Sequence, residues 1–224
     1  AAWPPPEAAA GKYFLHGGGG ANSAAGDGLL GPVPPGHEPP DVYDYDPQRP
    51  ADAWLSASGW DLNWGNKDRG EVERRADVLV YTSEALEQDL EVTGQLQVTL
   101  YAVSTAPETD FTAALVDVFA DGLAYHVQEG IVRARYRRSE RVPELLAPGE
   151  VEEYVIDLLA TSYLFGRGHR LRLEISSSNF SRFDRNPNTG GVFAQDEVCL
   201  PARQTVYHSR AYPSHITLPV IAGS

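Results

Sequence analysis

The feature that most constrains the fold is a rapid succession of strand-like runs that begins at Asp77. In the clearest run, residues 169–176, aliphatic side chains alternate with charged ones. That period of two is typical of a half-buried β-strand. Turn-forming Asp-Gly, Glu-Gly and Pro-Gly pairs separate the runs, and no long stretch has a helical pattern. The sequence therefore predicts an all-β protein folded as a jelly-roll β-sandwich.

The predicted strands divide the chain into a loop-rich part and a strand-rich part. Residues 1–70 contain several clusters of Pro and Gly that block regular structure, and residues 77–220 hold the main strands. We expect both parts to form one domain, residues 1–224. The strands that we predict are residues 13–15, 42–45, 78–82, 90–103 (with a break at Gly94 as the alternative), 110–119, 123–127, 130–137, 150–158, 169–176, 204–208 and 216–220.

Composition excludes several classes of partner and site. The net charge of −13 argues against nucleic acid and anionic membranes, which would repel this chain. A single cysteine, Cys199, excludes an internal disulfide and a cysteine-based zinc site. The lack of methionine leads us to expect a processed product or a piece of a longer protein. Residues 1–6 do not resemble a signal peptide, so the compartment is left open with the cytoplasm favoured.

No catalytic constellation stands alone in this sequence. The G-x-S-x-G pattern of a nucleophile elbow does not occur. Residues 16–20 (HGGGG) mimic an oxyanion motif, but a turn is the favoured interpretation because no nucleophile accompanies it. Ser214 and His215 are adjacent, so on a strand they point to opposite faces and cannot form a dyad. The six histidines show no metal-binding spacing. We expect no catalytic residue, no metal and no cofactor.

Several phrases, in this order along the chain, resemble one family. They are residues 77–83 (DVLVYTS), 109–119 (TDFTAALVDVF), 129–136 (EGIVRARY), 176–191 (SSSNFSRFDRNPNTGG) and 213–219 (PSHITLP). Together they are similar to the C-terminal domain of the X-Pro dipeptidyl-peptidase and cocaine-esterase (CocE/NonD) serine hydrolases. The resemblance implies a galactose-binding-like jelly roll packed against an α/β-hydrolase catalytic domain. In that family the catalytic serine, acid and histidine lie upstream, so the catalytic domain is expected to be absent from this chain.

The function that the resemblance implies is that of a non-catalytic accessory domain. It would stabilise the catalytic domain of an X-Pro dipeptidyl-peptidase or acyl esterase and wall one side of the substrate cleft. The isolated chain is then expected to be inactive, and its partner is the catalytic domain, with a homodimer as a further assembly to consider. The alternative function is a carbohydrate-binding module, because many jelly rolls stack sugars on exposed aromatic side chains.

Two groups of charged residues are docking candidates. Residues 130–138 alternate apolar side chains with Arg133, Arg135 and Arg137, which predicts three arginines on one strand face. Such a stripe either pairs with acidic residues of the same sheet, which we favour, or docks onto carboxylates of a partner. The polar loop 176–191 carries the second group at its centre: Arg182, Asp184 and Arg185. These side chains can pair locally, so a structured turn is slightly favoured over a contact surface for this loop.

An aromatic segment, residues 54–64 (WLSASGWDLNW), holds three of the four tryptophans. Its candidate residues are Trp54, Leu55, Trp60 and Trp64. They offer more apolar area than an exposed loop usually tolerates. Two interpretations stay open: the segment covers the core of its own sandwich, or, as the resemblance implies, it faces the catalytic domain at the substrate cleft.

Overall fold

The computed structural model describes residue 3 and residues 5–51, 68–192 and 195–221. These residues form twelve strands and two short 3-10 helices, which confirms an all-β sandwich. None of the described helices has the length and hydrophobicity needed to cross a bilayer. The strands are β1 Ala8–His16, β2 Leu29–Gly31, β3 Asp41–Tyr45, β4 Leu79–Thr82, β5 Leu90–Ser104, β6 Asp110–Val118, β7 Ala124–Arg133, β8 Glu152–Phe165, β9 Arg170–Ser176, β10 Ala202–Ser209, β11 Tyr212–Pro213 and β12 His215–Ile221; the 3-10 helices are Val72–Arg74 and Ala134–Tyr136.

The strands form two layers that share one core. In the first layer β5 is central, pairing with β8 on one side and with β12 and β10 on the other, while β1 extends from β12 and β3 from β10. In the second layer the order is β4, β9, β6 and β7, all antiparallel neighbours. The short strand β2 joins the layers at one corner, because it pairs with both β1 and β4.

A large apolar cluster fills the core between the layers. Leu100 and Ile156 of the first layer and Leu115 and Leu173 of the second belong to one buried cluster. Phe111 is fully buried at its centre and lies 4.6 Å, ring centroid to ring centroid, from Tyr154. The alternation seen in the sequence of β9 is the cause, since it sends every second side chain into this cluster.

The sequence placed most strands correctly and missed some details. β5 runs unbroken through Gly94, and its pairing with β8 shifts register between Gln95 and Gln97. A β-bulge of this kind accommodates the positive φ of 141° at Gly94 within the strand, so the predicted break does not occur. The short strand β2 was missed, and β8 extends beyond the predicted residue 158 to Phe165.

The predicted strand 130–137 is wrong at its second half. Residues 124–133 form the single strand β7, and Ala134–Tyr136 turn into a 3-10 helix. The turn follows because the Ala134 amide donates to the Thr109 carbonyl and the Arg137 amide to the Ala134 carbonyl. Arg133, Arg135 and Arg137 therefore do not share one strand face.

One glycine permits a close approach of β7 to β8. A Cβ on Gly130 would lie 2.1 Å from the carbonyl oxygen of Asp157. The side-chain amide of Gln128 donates to the carbonyl of Ala160 at 3.1 Å on the same side. The two edges of the sandwich thus meet where only glycine fits.

Candidate functional site

The outer face of the second layer is covered by residues 68–78 rather than by solvent. Val72 of the 3-10 helix and Val78 pack with Val80 of β4 and with Ala51 in a small buried cluster. The amide of Arg69 donates to the carbonyl of Ala124, which fixes the start of this segment to β7. Residues 68–78 therefore form a further layer on the outer face of the sheet. Some of the side chains enclosed between this segment and the sheet are charged.

Two ion pairs are enclosed beneath this segment. Arg69 places Nε and Nη2 against the carboxylate of Glu174 in β9, at 2.6–2.9 Å. Arg172, also in β9, donates from Nη1 to Oε2 of Glu73. The side chains of Arg69 and Glu174 are only 8% and 3% exposed. Paired charges with bidentate geometry are the form in which proteins tolerate such burial.

The Glu73 carboxyl has an unusual environment within this layer. Burial and the neighbouring Glu174 carboxylate raise its pKa to about 7, against the opposing charges of Arg172 and Arg69. Its Oε1 atom is buried and has no hydrogen-bond partner. Desolvation disfavours the charged form of a carboxyl, and a second carboxylate disfavours it further.

Glu129 of β7 connects the buried layer to the polar loop 176–191. It accepts a 2.6 Å hydrogen bond from the Asn179 amide and lies 3.3 Å from both His126 Nε2 and Arg182 Nε. Burial raises the pKa of Glu129, but the neighbouring His126, the hydrogen bond from the Asn179 side chain and the charge of Arg69 outweigh it. The net result is a pKa below the usual value.

The loop 176–191 is anchored at both of its ends and exposed at its centre. Ser176–Asn179 are buried, and so are Asn186 and Asn188. Ser178 Oγ accepts from the Ala51 amide at 2.8 Å, and the Phe180 amide donates to the Ala51 carbonyl at 2.9 Å. At the far end, Asn186 donates to the buried Asp110 at 2.8 Å. Turn-forming residues thus tie down the loop and leave residues 180–185 mostly exposed.

The three docking candidates in this loop lie in its exposed centre. Arg182 is paired with Glu129, and its guanidinium lies 5.6 Å from the ring centroid of Phe183. Arg185 donates to the carbonyl of Pro47 at 3.1 Å, and Asp184 is exposed. Both arginines therefore make contacts within the chain while their positions remain accessible.

The other three candidate arginines pair with carboxylates of the chain itself. Arg133 contacts Asp110 at 3.0 Å, Arg135 contacts Glu108, and Arg137 contacts Glu152 at 2.8 Å. The side chain of Arg137 is only 1% exposed. A docking role for these arginines stays a prediction. To bind a carboxylate of another domain, each arginine would have to share or release the carboxylate with which it is now paired.

The buried layer holds the chain on either side of residues 52–67. On one side Ala51 is hydrogen bonded to Ser178 and Phe180; on the other Asp68 pairs with Tyr125 of β7 and Arg69 with Glu174. One small cavity is lined by both Ala51 and Arg69. We call this set of contacts the loop base. The candidates Trp54, Leu55, Trp60 and Trp64 lie outside the described residues, between these two anchored ends.

A second polar cluster surrounds the glycine-rich turn after β1. His208 of β10 is fully buried, with Nε2 2.7 Å from Asp41 and Nδ1 3.3 Å from Glu38. Burial lowers the pKa of His208, but the hydrogen bonds and charges of the two carboxylates outweigh it and raise the pKa. The amide of Gly17 donates to Glu38 as well. Sequence reasoning missed this cluster, because its members are too far apart along the chain to form a motif.

Ser214 and His215 do not form a dyad in this structure. Ser214 Oγ donates to the Tyr207 carbonyl and accepts from the Tyr101 amide, while His215 Nδ1 contacts the Pro213 carbonyl. Both side chains therefore contact backbone groups rather than each other, as their adjacent positions in the sequence predicted. Across the part of the chain that the structure describes, no three His, Cys, Asp or Glu side chains are grouped to hold a metal ion.

An open groove of about 770 Å³ borders β3. Most of its polar side chains form ion pairs, such as Arg203 with Asp44 and Arg75 with Asp77. Its aromatic side chain, Tyr43, is buried with its hydroxyl on Ser177. The groove therefore lacks the exposed aromatic platform on which a sugar would stack. Its lining residues are Asn22, Val42, Tyr43, Asp44, Asp46, Arg49, Arg75, Ala76, Asp77 and Arg203.

Comparison with known proteins gives consistent matches. A family profile described as the X-Pro dipeptidyl-peptidase C-terminal non-catalytic domain matches residues 1–217. A cocaine esterase of Rhodococcus sp. (strain MB1 Bresler) is 43% identical over 98% of this chain. A putative serine esterase of Mycobacterium bovis is 37% identical over 65% of it. The chain spans 39% of the length of the first of these relatives and 24% of the second.

Solved structures agree with these sequence matches. An aminopeptidase from a marine sediment Thaumarchaeota archaeon superposes with a TM-score of 0.86 at 29% identity, covering 99% of this chain and 38% of its own. An α-amino acid ester hydrolase gives the same TM-score and identity, covering 98% of this chain and 38% of its own. In both cases the similarity extends over nearly the whole sandwich.

Proposed function

The chain belongs to the family of X-Pro dipeptidyl-peptidase C-terminal non-catalytic domains, and we propose that it is the accessory domain of an α/β-hydrolase-type serine hydrolase. The parent enzyme would cleave acyl esters or X-Pro peptide bonds. Its serine nucleophile, histidine base and orienting acid would come from the remainder of the parent protein. This domain would stabilise the catalytic domain and wall one side of the substrate cleft.

The observation that carries the cleft-wall proposal is the loop base. Hydrogen bonds at Ala51 and a buried ion pair at Arg69 fix the chain on both sides of residues 52–67. Those residues include Trp54, Trp60 and Trp64. Anchoring both ends of a segment reduces the conformational entropy that it loses on binding, and large aromatic side chains are frequent anchors of interfaces. We assign these tryptophans and Leu55 to the wall of the cleft.

The exposed centre of the loop 176–191 is the docking surface that this proposal favours. Arg182, Asp184 and Arg185 lie on a segment whose ends are buried and hydrogen bonded, so the surface is preorganised. Arginine beside an aromatic ring, as at Arg182 and Phe183, is a composition enriched in protein interfaces. A homodimer stays a further prediction, to be tested by the oligomeric state of the parent protein.

Labelling of the active site tests the non-catalytic assignment. The full-length parent protein is treated with an active-site-directed organophosphonate, digested, and analysed by mass spectrometry. We expect the label on a serine outside residues 1–224, with hydrolysis of p-nitrophenyl esters or X-Pro anilides lost in proportion. A stoichiometric label on a serine of this chain, coupled to loss of activity, would contradict the proposal.

The competing function is a carbohydrate-binding module, which the density of tryptophans in residues 54–64 favours. The groove beside β3 argues against carbohydrate binding, because its lining is charged whereas sugars stack on exposed aromatic rings. A glycan array distinguishes the two functions. The accessory-domain proposal expects no specific signal, whereas a sugar that binds the protein and is lost in Trp60→Ala would favour the module.

A further inference from the structure

Two buried carboxyl groups lie in the contact between the 3-10 helix Val72–Arg74 and β9. Glu73, in that helix, and Glu174, in β9, are 2% and 3% exposed. The Glu174 carboxylate is held on both oxygens by Arg69. Glu73 accepts from Arg172 through Oε2 only, and its buried Oε1 has no partner.

The carboxyl group of Glu73 can donate a hydrogen bond to Glu174 only if it carries a proton. Arg172 and Glu174 lie two residues apart on the same face of β9, and the Glu73 amide donates to the Arg69 carbonyl at 3.0 Å, so the two ion pairs are neighbours. Two ionised carboxylates side by side have no hydrogen to share. A protonated Glu73 can donate from one oxygen to Glu174 while its other oxygen accepts from Arg172. An ionised Glu73 instead leaves a buried acceptor without a donor and faces a like charge, both of which are costly.

We propose that the Glu73–Glu174 pair is a proton-dependent latch that holds the 68–75 segment on the sheet. With the proton bound, the segment is closed and the chain after residue 67 is firmly anchored. Loss of the proton near neutral pH loosens the segment. The latch rests on the proposed function in one respect: if residues 52–67 wall the cleft, the latch makes substrate binding depend on pH.

The charged groups around Glu73 determine how the latch responds. From β9, Arg172 favours the ionised form and Glu174 opposes it; from its own segment, Arg69 favours ionisation but is occupied by Glu174. Glu129 and His126 of β7 contact each other. Because His126 contacts Glu129, whose charge also acts on Arg69, a His126 variant is included as a control.

The direction of the pH effect follows from linkage. Burial and the Glu174 carboxylate raise the pKa of Glu73 from 4.5 to about 7 in the closed state, whereas in an opened, hydrated segment Glu73 has its ordinary value. The closed state therefore binds the proton more tightly, and its extra stability is fully present below pH 4.5. This stability is lost as pH rises to about 7, so the opening constant increases on the order of tenfold or more and then levels off.

Hydrogen exchange of the full-length parent protein tests the latch. Exchange rates of peptides within residues 68–75 are measured by mass spectrometry from acidic to mildly alkaline pH and divided by the intrinsic rate at each pH. The wild type should open more readily as pH rises, on the order of tenfold. Glu73→Gln, whose amide imitates the protonated carboxyl, should remove this dependence. Glu71→Gln, at an exposed position in the same segment, and His126→Gln should both retain it.

The outcomes separate the latch from the proposed function. An opening constant in wild type that does not change with pH, or the same pH dependence in Glu73→Gln, overturns the latch. The KM of the parent enzyme is measured over the same pH range in both proteins. A latch that responds to pH while KM does not would support the latch and count against residues 52–67 as the cleft wall.

Discussion

Two buried regions of this protein are built on different principles. The core between the layers is an apolar cluster that includes Phe111, Leu115 and Leu173. The region on the outer face of the second layer is as well buried, but it encloses Arg69, Glu174 and their neighbours. The first region is held by burial of apolar surface, and the second by pairing of charges in fixed geometry.

The comparison distinguishes the region that stabilises the fold from the region that positions a segment of the chain. Apolar packing contributes most of the stability and tolerates replacement by residues of similar volume. A buried ion pair contributes little net stability relative to apolar residues, yet it is costly to break and specific in geometry. The charged region lies where the chain before and after residues 52–67 is anchored, so we infer that it exists to position that segment.

Truncation in the apolar core should have the largest effect. Phe111→Ala removes a fully buried ring in contact with Tyr154 and should lower the free energy of unfolding by about 3–5 kcal/mol. Urea denaturation of the parent protein, followed at the transition of this domain, measures the change. Val142→Ala, at an exposed side chain away from the proposed docking surface, is the control and should cost less than about 1 kcal/mol. Equal losses in the two variants would remove the distinction between core and surface.

Breaking the buried ion pair should have the second-largest effect on stability. Unlike a truncation in the apolar core, it should be reversible by a second substitution. Arg69→Met leaves Glu174 buried and unpaired, and should cost about 3 kcal/mol at neutral pH. Adding Glu174→Leu should restore most of the stability, since no buried charge then lacks a partner. The restored protein should still have a raised KM, because the geometry of the loop base is gone.

The exposed pair Arg203–Asp44 supplies the control for this experiment. Its side chains are 62% and 66% exposed, so Arg203→Met should change the free energy of unfolding by less than about 1 kcal/mol. If Arg69→Met were as mild as Arg203→Met, the charged region would not be a structural element of its own. Full recovery of KM in the double variant would also contradict its positioning role.

The smallest effect should come from a single hydrogen bond of the loop base. Ser178→Ala removes the acceptor of the Ala51 amide and should cost about 1 kcal/mol. The loss should be local, appearing as faster amide exchange at Ala51 with little change elsewhere. Ser181→Ala, at an exposed position of the same loop, should leave this exchange unchanged. A change spread evenly over the domain would indicate that the loop base is not a separate unit.

The apolar region could be predicted from the sequence, and the charged region could not. β6 and β9 were recognised because their alternating or continuous apolar runs reflect burial directly. The short β2 was missed because three residues carry too little pattern. The sequence predicts strand over the 3-10 helix Ala134–Tyr136 because Arg135 continues the alternation of β7, whereas tertiary hydrogen bonds turn the backbone there.

The loop base lay beyond sequence reasoning for a physical reason. Arg69 and Glu174 are separated by 105 positions, and nothing local distinguishes them from the other charged residues of an acidic chain. Only the crossing of the 68–78 segment over β9 brings them together. What the sequence did offer was the position of the tryptophans between residues 54 and 64, and the polar, turn-rich character of the loop 176–191.

The most direct test of the central claim is a kinetic comparison of two tryptophan variants in the full-length parent enzyme. Trp60→Ala alters the segment between the anchored ends, and Trp3→Ala alters an exposed tryptophan outside the loop base. If this domain walls the cleft, Trp60→Ala should lower kcat/KM on the order of tenfold, mainly through KM, while Trp3→Ala leaves it unchanged. Equal kcat/KM values for Trp60→Ala, Trp3→Ala and wild type would contradict the account.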